Sequence, residues 1–279
     1  MNRLGVIGKP SDWLIASNVD YAKAKSVFDI DLIDINIDEL ISIYNECSSK
    51  TDEYICKIAA EPQYFSKNGQ KSEEINKAYI LYFAIKELAK RYNLSGLTIR
   101  CFDLLSKLTT TSCLAFSLLN SEGIIATCEG DVPSMITMYL IYKYCDKTSF
   151  QSNPAQVMVE ENSMILAHCT IPRDMCNHID LDTHFESGIG IGIKGYLEEK
   201  EVSILKINSN LDKYILLKGH IVENLKSQKL CRTQIKIKFL ENNDVSYFLK
   251  RPLGNHHIVF YGHDTSKLET ILKQLKRIF

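Results

Sequence analysis

Apolar and polar positions alternate with two different periods along this chain, and the change of period falls near its middle. In the first part, short apolar runs alternate with helix-spaced ones. Leu4-Gly5-Val6-Ile7-Gly8 reads as a strand stopped by Lys9-Pro10, and Ile30 to Ile37 reads as a second. Asp38 is positioned to cap the helix that carries Leu40, Ile41 and Tyr44. The polar stretch from Ser48 to Lys71 reads as helix edge or loop. From Glu73 to Tyr92, Ile75, Ala78, Tyr79, Tyr82, Phe83 and Ala89 recur at three- and four-residue steps, the spacing of one broad helix face.

Asn93 to Gly96 then ends that helix, and LTIRCF follows as a buried strand. A helix over about 111–119, a strand over Gly123–Cys128 and a helix over Val132–Tyr144 with Pro133 in its first turn complete the series. Such alternation predicts an α/β, Rossmann-like unit: a parallel sheet flanked by helices on both faces. After about Phe150 the period drops to two. MILAHC, GIGIGIKGYL, EVSILKI, YILLKGHIV, TQIKIKFL and HHIVFYG are separated by glycine and charged turns. They predict a mainly antiparallel barrel or sandwich closed by a terminal helix over Thr265–Phe279. The expected domains are therefore 1–150 and 151–279.

Composition narrows the function classes. The 279 residues are 45% hydrophobic and 24% charged, as in a globular protein with a substantial core. A net charge of -1, with no basic stripe interleaved with aromatics, argues against nucleic acid as a partner. No apolar run reaches the ~18 residues of a membrane span, and the first residues lack the apolar core of a secretory signal, so a cytoplasmic location is expected. Nine cysteines without a CxxC pair suggest neither a disulfide framework nor a zinc cluster. Several lie in apolar runs, where a thiol packs as a small hydrophobe.

Two clusters carry candidate chemistry. Cys128-Glu129-Gly130-Asp131 follows an apolar strand, at the carboxyl end where parallel sheets bind ligands. Gly254-Asn255-His256-His257 precedes another strand. Carboxylate and imidazole together suit a divalent cation such as manganese. Capping of the following helix by Asp131 is the alternative for the first cluster. His168 fits either a cleft or a core hydrogen bond, Arg232 either a ligand contact or a buried ion pair, and Trp13 reads as a packing anchor.

The segments GVIGKPSDWLIAS, LTIRCFDLL, IIATCEGDVPSMITMYLI, MILAHCTIPRD, THFESGIGIGIKG, LCRTQIKI and GNHHIVFYGH occur in an order that resembles the L-fucose isomerase and L-arabinose isomerase superfamily over nearly the whole chain. Each is weak alone; jointly they are specific. The resemblance implies that 1–150 is the family's middle α/β domain and 151–279 its barrel-like C-terminal domain, with no counterpart of the N-terminal domain. It also implies Mn²⁺ or another divalent cation between the two, a small sugar as substrate, aldose–ketose isomerisation and assembly into a homo-oligomer. Glu129 is similar to the ligand that doubles as acid/base, with Asp131 the other acid of that motif. His256 and His257 are similar to late metal-binding histidines. His184, Asn153 and Arg232 are the substrate-binding candidates.

One feature departs from the pattern. The position of the family's second carboxylate falls on Ser152 or Asn153, or near Cys169-Thr170, and none of these is an acid. A sugar-binding or regulatory relative that lacks this group is the alternative to an active isomerase.

Overall fold

The computed structural model describes residues 2–50, 65–66, 69–242, 244–250 and 252–278. Most of the polar stretch expected as helix edge or loop, residues 51–64 and 67–68, lies outside the described residues.

In chain order the first half contains β1 (Arg3–Ile7), α1 (Tyr21–Phe28), β2 (Asp31–Ile35), α2 (Ile37–Ser48), β3 (Phe65–Ser66), α3 (Ser72–Tyr92) and β4 (Gly96–Ile99). It continues with α4 (Phe102–Leu108), α5 (Cys113–Ser121), β5 (Ile125–Thr127) and α6 (Val132–Cys145). Strands pair in parallel in the order β2-β1-β4-β5. Leu4 and Val6 of β1 join α1 and α6 in one apolar cluster; Ile7, with Leu97 and Ile99 of β4, joins α2, α3 and α5 in another. The sheet is therefore covered on both faces, as a parallel sheet must be.

The second half contains β6 (Ser149–Met158), β7 (Ser163–His168), β8 (Cys176–Asp182), β9 (Gly192–Leu197), β10 (Glu201–Ile207), β11 (Lys213–Asn224) and β12 (Thr233–Phe239). It ends with β13 (His257–Tyr261), α7 (Ser266–Leu272) and β14 (Lys276–Arg277). Six strands close antiparallel into a barrel, β10-β13-β6-β7-β12-β11 and back to β10. A smaller sheet, β3-β8-β9, stands beside it.

Helix α6 joins the halves. It contacts β4 and β5 on one side and β6, β10 and β13 on the other. Its residues from Val132 to Ile141 are all buried, as a helix that is apolar all round requires. Gln151 of β6 adds a polar joint: its side chain accepts from Cys128 N at 2.7 Å and donates to Cys128 O at 3.2 Å, fixing the chain just beyond β5.

Three expectations change. Helix α2 is capped by Asn36, whose side chain accepts from Asp38 N at 3.0 Å; Asp38 lies inside the first turn. The helix expected over 111–119 begins at Cys113 and follows a separate short helix, α4. The terminal helix stops at Leu272, and the chain then pairs in parallel with β11 through β14 instead of remaining helical. Among the described residues no helix is long and apolar enough to cross a membrane.

Candidate metal centre and its cleft

β5 delivers Cys128 and then turns sharply. Glu129 adopts a left-handed backbone, φ 62°, and Gly130 follows at φ 60°. For a residue with a side chain this conformation costs on the order of 1 kcal/mol, so neighbours must hold it. The Ser11 hydroxyl donates to the Glu129 carbonyl, and Gly130 N donates to Ile99 O at 2.9 Å. Only glycine fits at 130, because a Cβ there would lie 2.6 Å from Lys9 O. The turn aims the Glu129 carboxylate back over the end of the sheet. Trp13 Nε1 donates to one of its oxygens, Oε2, at 3.1 Å, leaving Oε1 to face two histidines.

Those histidines are His168, at the end of β7, and His256, just before β13. Their Nε2 atoms lie 3.9 and 3.5 Å from Glu129 Oε1, and their rings meet edge to face at 5.2 Å. One ligand atom from each of the three residues falls within 4.8 Å of the others. Both imidazoles are buried and are held by their far nitrogens. His168 Nδ1 meets the Thr170 hydroxyl at 2.9 Å, and His256 Nδ1 lies 2.8 Å from Asp131 Oδ2. An ionised carboxylate can only accept, so His256 Nδ1 carries the hydrogen and Nε2 is the atom presented to the cluster. That Nε2 is buried without a hydrogen-bond partner.

Beneath it lies a buried ionic network. Asp131 accepts from Ser134 N at 2.8 Å, capping α6, while its other oxygen takes His256 Nδ1 and stands 3.5 Å from Lys206 Nζ. Lys206 also donates to the Ser134 hydroxyl at 3.0 Å and is fully buried. Its stem fits because residue 254 is glycine; a Cβ there would meet Lys206 Cε at 2.7 Å. The neighbouring Asn255 accepts from Ile15 N at 2.7 Å, tying the Trp13 loop to the barrel.

Electrostatics follow from this arrangement. Burial would raise the Glu129 carboxyl, but His168 and His256 outweigh it and hold it well below the usual carboxylate range. Burial likewise opposes ionisation of Asp131, yet Lys206 and His256 hold it at about 2. Burial disfavours a charged His256, but Asp131 and Glu129 overcome this and push it up to about 9. Burial lowers Lys206 against the pull of Asp131. Without a metal, therefore, a protonated His256 stands between the two carboxylates, with Lys206 beside Asp131.

The donor set suits a divalent cation: two imidazole nitrogens and one carboxylate oxygen, oriented from behind by a hydroxyl and a carboxylate. The orphaned Nε2 of His256 is the strongest sign that the cluster is built for a ligand, because buried polar atoms are otherwise paired.

The other expected residues divide. Asp131 is sealed beneath His256 and can touch no substrate. His257 is not brought to the cluster: it points into the barrel, with Nε2 3.1 Å from the Tyr247 hydroxyl and its ring against Phe248. Burial and the Lys206 charge push it down to about 3, leaving it neutral. Asn153 and His184 line the cleft over the cluster together with Glu129, His168 and Glu186. Burial, with His168 beside it, lowers His184 to about 4. Ser152 is buried and donates to His257 O at 2.9 Å. Arg232 is engaged with the rim, donating to Thr183 O at 2.7 Å and to its hydroxyl at 3.1 Å, with Asp182 at 3.6 Å.

Sequence reasoning left His168 open and passed over Lys206 and Glu186. It read Trp13 as packing, whereas the ring is 44% exposed, bonded to Glu129 and covered by Arg100 at 4.6 Å. The cysteines contribute no ligand to the cluster among the described residues, although Cys113, Cys128, Cys169 and Cys231 line its walls. A groove between α2 and α3 contains none of these ligating side chains.

No protein-family model matches the chain. Among curated proteins, a sulfoquinovose isomerase of Priestia aryabhattai is 23% identical over 278 residues, covering 95% of this chain and 61% of the relative. Sulfoquinovose isomerases of Clostridium sp. and Alkalicoccus urumqiensis are 22% and 20% identical, over 79% and 67% of this chain and 52% and 44% of theirs. The chain is similar to sugar isomerases. It spans about three fifths of the length of the first of these relatives. The names of these relatives point to neither fucose nor arabinose isomerase in particular.

Proposed function

We propose that this chain carries the catalytic centre of a metal-dependent aldose–ketose isomerase acting on a small sugar. The observation that supports it best is the convergence of Glu129, His168 and His256, with His256 Nε2 buried and unpartnered and its far nitrogen fixed by Asp131. Mn²⁺ or another divalent cation is the proposed cofactor, held by these three side chains. Bound there, it would stabilise negative charge developing on two substrate oxygens. Asp131 and Lys206 orient His256, and Trp13 orients Glu129. His184 and Asn153, which line the cleft, are the proposed contacts for substrate hydroxyls. A homo-oligomer, as the resemblance implies, completes the reading.

Isomerisation moves a carbonyl between C1 and C2 through an enediolate, which needs a group to take a proton from carbon and return it to the neighbour. The first substrate to test is sulfoquinovose, which the relatives' names carry; hexoses, pentoses and their phosphate esters come next. With Mn²⁺ in D₂O, the proposal expects deuterium at C2 of the recovered aldose and formation of the ketose. A second reading, a sugar-binding relative without turnover, is favoured by Ser152-Asn153 where the resemblance places an acid. Saturable sugar binding with no deuterium uptake from any of these compounds would establish it and refute the first.

A further inference from the structure

The resemblance places a second carboxylate at Ser152 or Asn153, or near Cys169-Thr170, and none of these is an acid. We infer that Glu186, on the turn between β8 and β9, is the catalytic residue that carries the proton between C1 and C2. This rests on the isomerase reading above. Glu186 and Glu129 are the two carboxylates that line the cleft over His168, and Asn153, one of the positions where the resemblance places the acid, lines it too. Asn153 lines the cleft from β6, and Glu186 lines it from the turn between β8 and β9.

The turn is built to hold a side chain in place. At one end, Arg232 donates twice to Thr183. At the other, the Thr111 hydroxyl donates to Ile191 O at 2.7 Å and accepts from Ile191 N at 3.1 Å. Between them, Gly188 N donates to His184 O at 2.8 Å, and His184 Nδ1 meets the Ser187 hydroxyl at 2.9 Å. Bonds at both ends hold the turn that carries Glu186, which is itself exposed at the mouth of the cleft, and a supported turn is what a reacting group needs.

In the step assigned to it, the Glu186 carboxylate takes the proton from C2 of the aldose. The C–H electron pair becomes the C1=C2 bond, and the carbonyl pair moves onto O1. The O2 proton crosses to O1 through the Glu129 carboxylate. Glu186 then returns its proton to C1 as the pair on O2 reforms a carbonyl at C2. Nothing is oxidised or reduced overall, and both carboxylates end as they began.

The test compares the Mn²⁺-loaded protein with Glu186→Gln, Glu186→Ala and Glu129→Gln, following deuterium exchange at C2 and, separately, free Mn²⁺ by its electron paramagnetic resonance signal. Glu186→Gln is expected to slow exchange at least about a hundredfold, the usual scale for losing a general base, with Mn²⁺ affinity within about twofold. Added formate should restore part of the rate to Glu186→Ala but not to Glu129→Gln, which loses the metal. Exchange by Glu186→Gln within about threefold of the unaltered protein would overturn the assignment while leaving the isomerase reading intact. No exchange by the unaltered protein with any of the sugars would instead refute the isomerase reading, and with it any reaction for Glu186.

Discussion

His256 and His257 are neighbours in the chain and belong to opposite regions of the molecule. One faces the junction of the parallel sheet and the barrel, the other the apolar packing of Tyr247 and Phe248. Both are fully buried, yet the first is pushed up to about 9 and the second down to about 3. The difference lies in what each imidazole meets. His256 has Asp131 behind it and Glu129 in front, so charge is favoured and one nitrogen is left for a cation. His257 has a tyrosine hydroxyl and a backbone carbonyl, so the neutral ring is favoured and no coordinating atom is free. Burial alone therefore distinguishes nothing here; the acidic partners do.

The network beneath His256 should give the largest effect. Asp131→Ala leaves Lys206 charged and unpaired in the interior, and is expected to cost about 3–5 kcal/mol of unfolding free energy in urea melts. A Lys206→Met change in the same chain should recover most of that loss. His257→Leu, on the barrel side, lacks such a charge to strand and should cost less. Equal losses for Asp131→Ala and His257→Leu would erase the distinction between the two regions.

Acidity provides a smaller and reversible contrast. A metal must displace the proton that His256 holds up to about 9, so Mn²⁺ affinity measured by calorimetry should rise about tenfold per pH unit between roughly pH 6 and 8. In the metal-free protein the sign reverses. The folded value lies above the ordinary 6.5, so this contribution to stability is complete below 6.5 and is lost as pH rises through about 9. A metal affinity independent of pH would mean that His256 Nε2 is not a ligand. The smallest effect belongs to the exposed rim. Trp13→Phe removes one hydrogen bond to Glu129 and should weaken Mn²⁺ binding only about threefold to fivefold, near 1 kcal/mol.

Much of this arrangement was legible in the sequence, and the reasons differ from residue to residue. Helix α3 and most of the barrel strands announce themselves by period, and α6 by an apolar run with Pro133 in its first turn. Glu129 and His256 stand out because polar ligating types follow or precede apolar strands. Lys206 does not, because EVSILKI shows only a charge in a strand; its burial depends on Asp131, 75 residues away, and on the absence of a side chain at Gly254. His168 needed Thr170 and the closure of the barrel to become a ligand candidate. Glu186 drew no reading, since it is the pairing of β8 with β9 that shapes the turn lining the cleft. The early end of α7 was hidden because Lys276 and Arg277 find a strand partner in β11 that local pattern cannot show.

The most direct test of the central claim is Mn²⁺ binding followed by pulsed electron paramagnetic resonance on the unaltered protein, His256→Ala and His257→Leu. The account predicts one Mn²⁺ per chain with two coordinated imidazole nitrogens. His257→Leu should leave both signals, and His256→Ala should remove one and weaken binding at least about a hundredfold, beyond the ~10–100-fold typical of losing a supporting partner. No imidazole coupling at all, or an unchanged spectrum in His256→Ala, would contradict it.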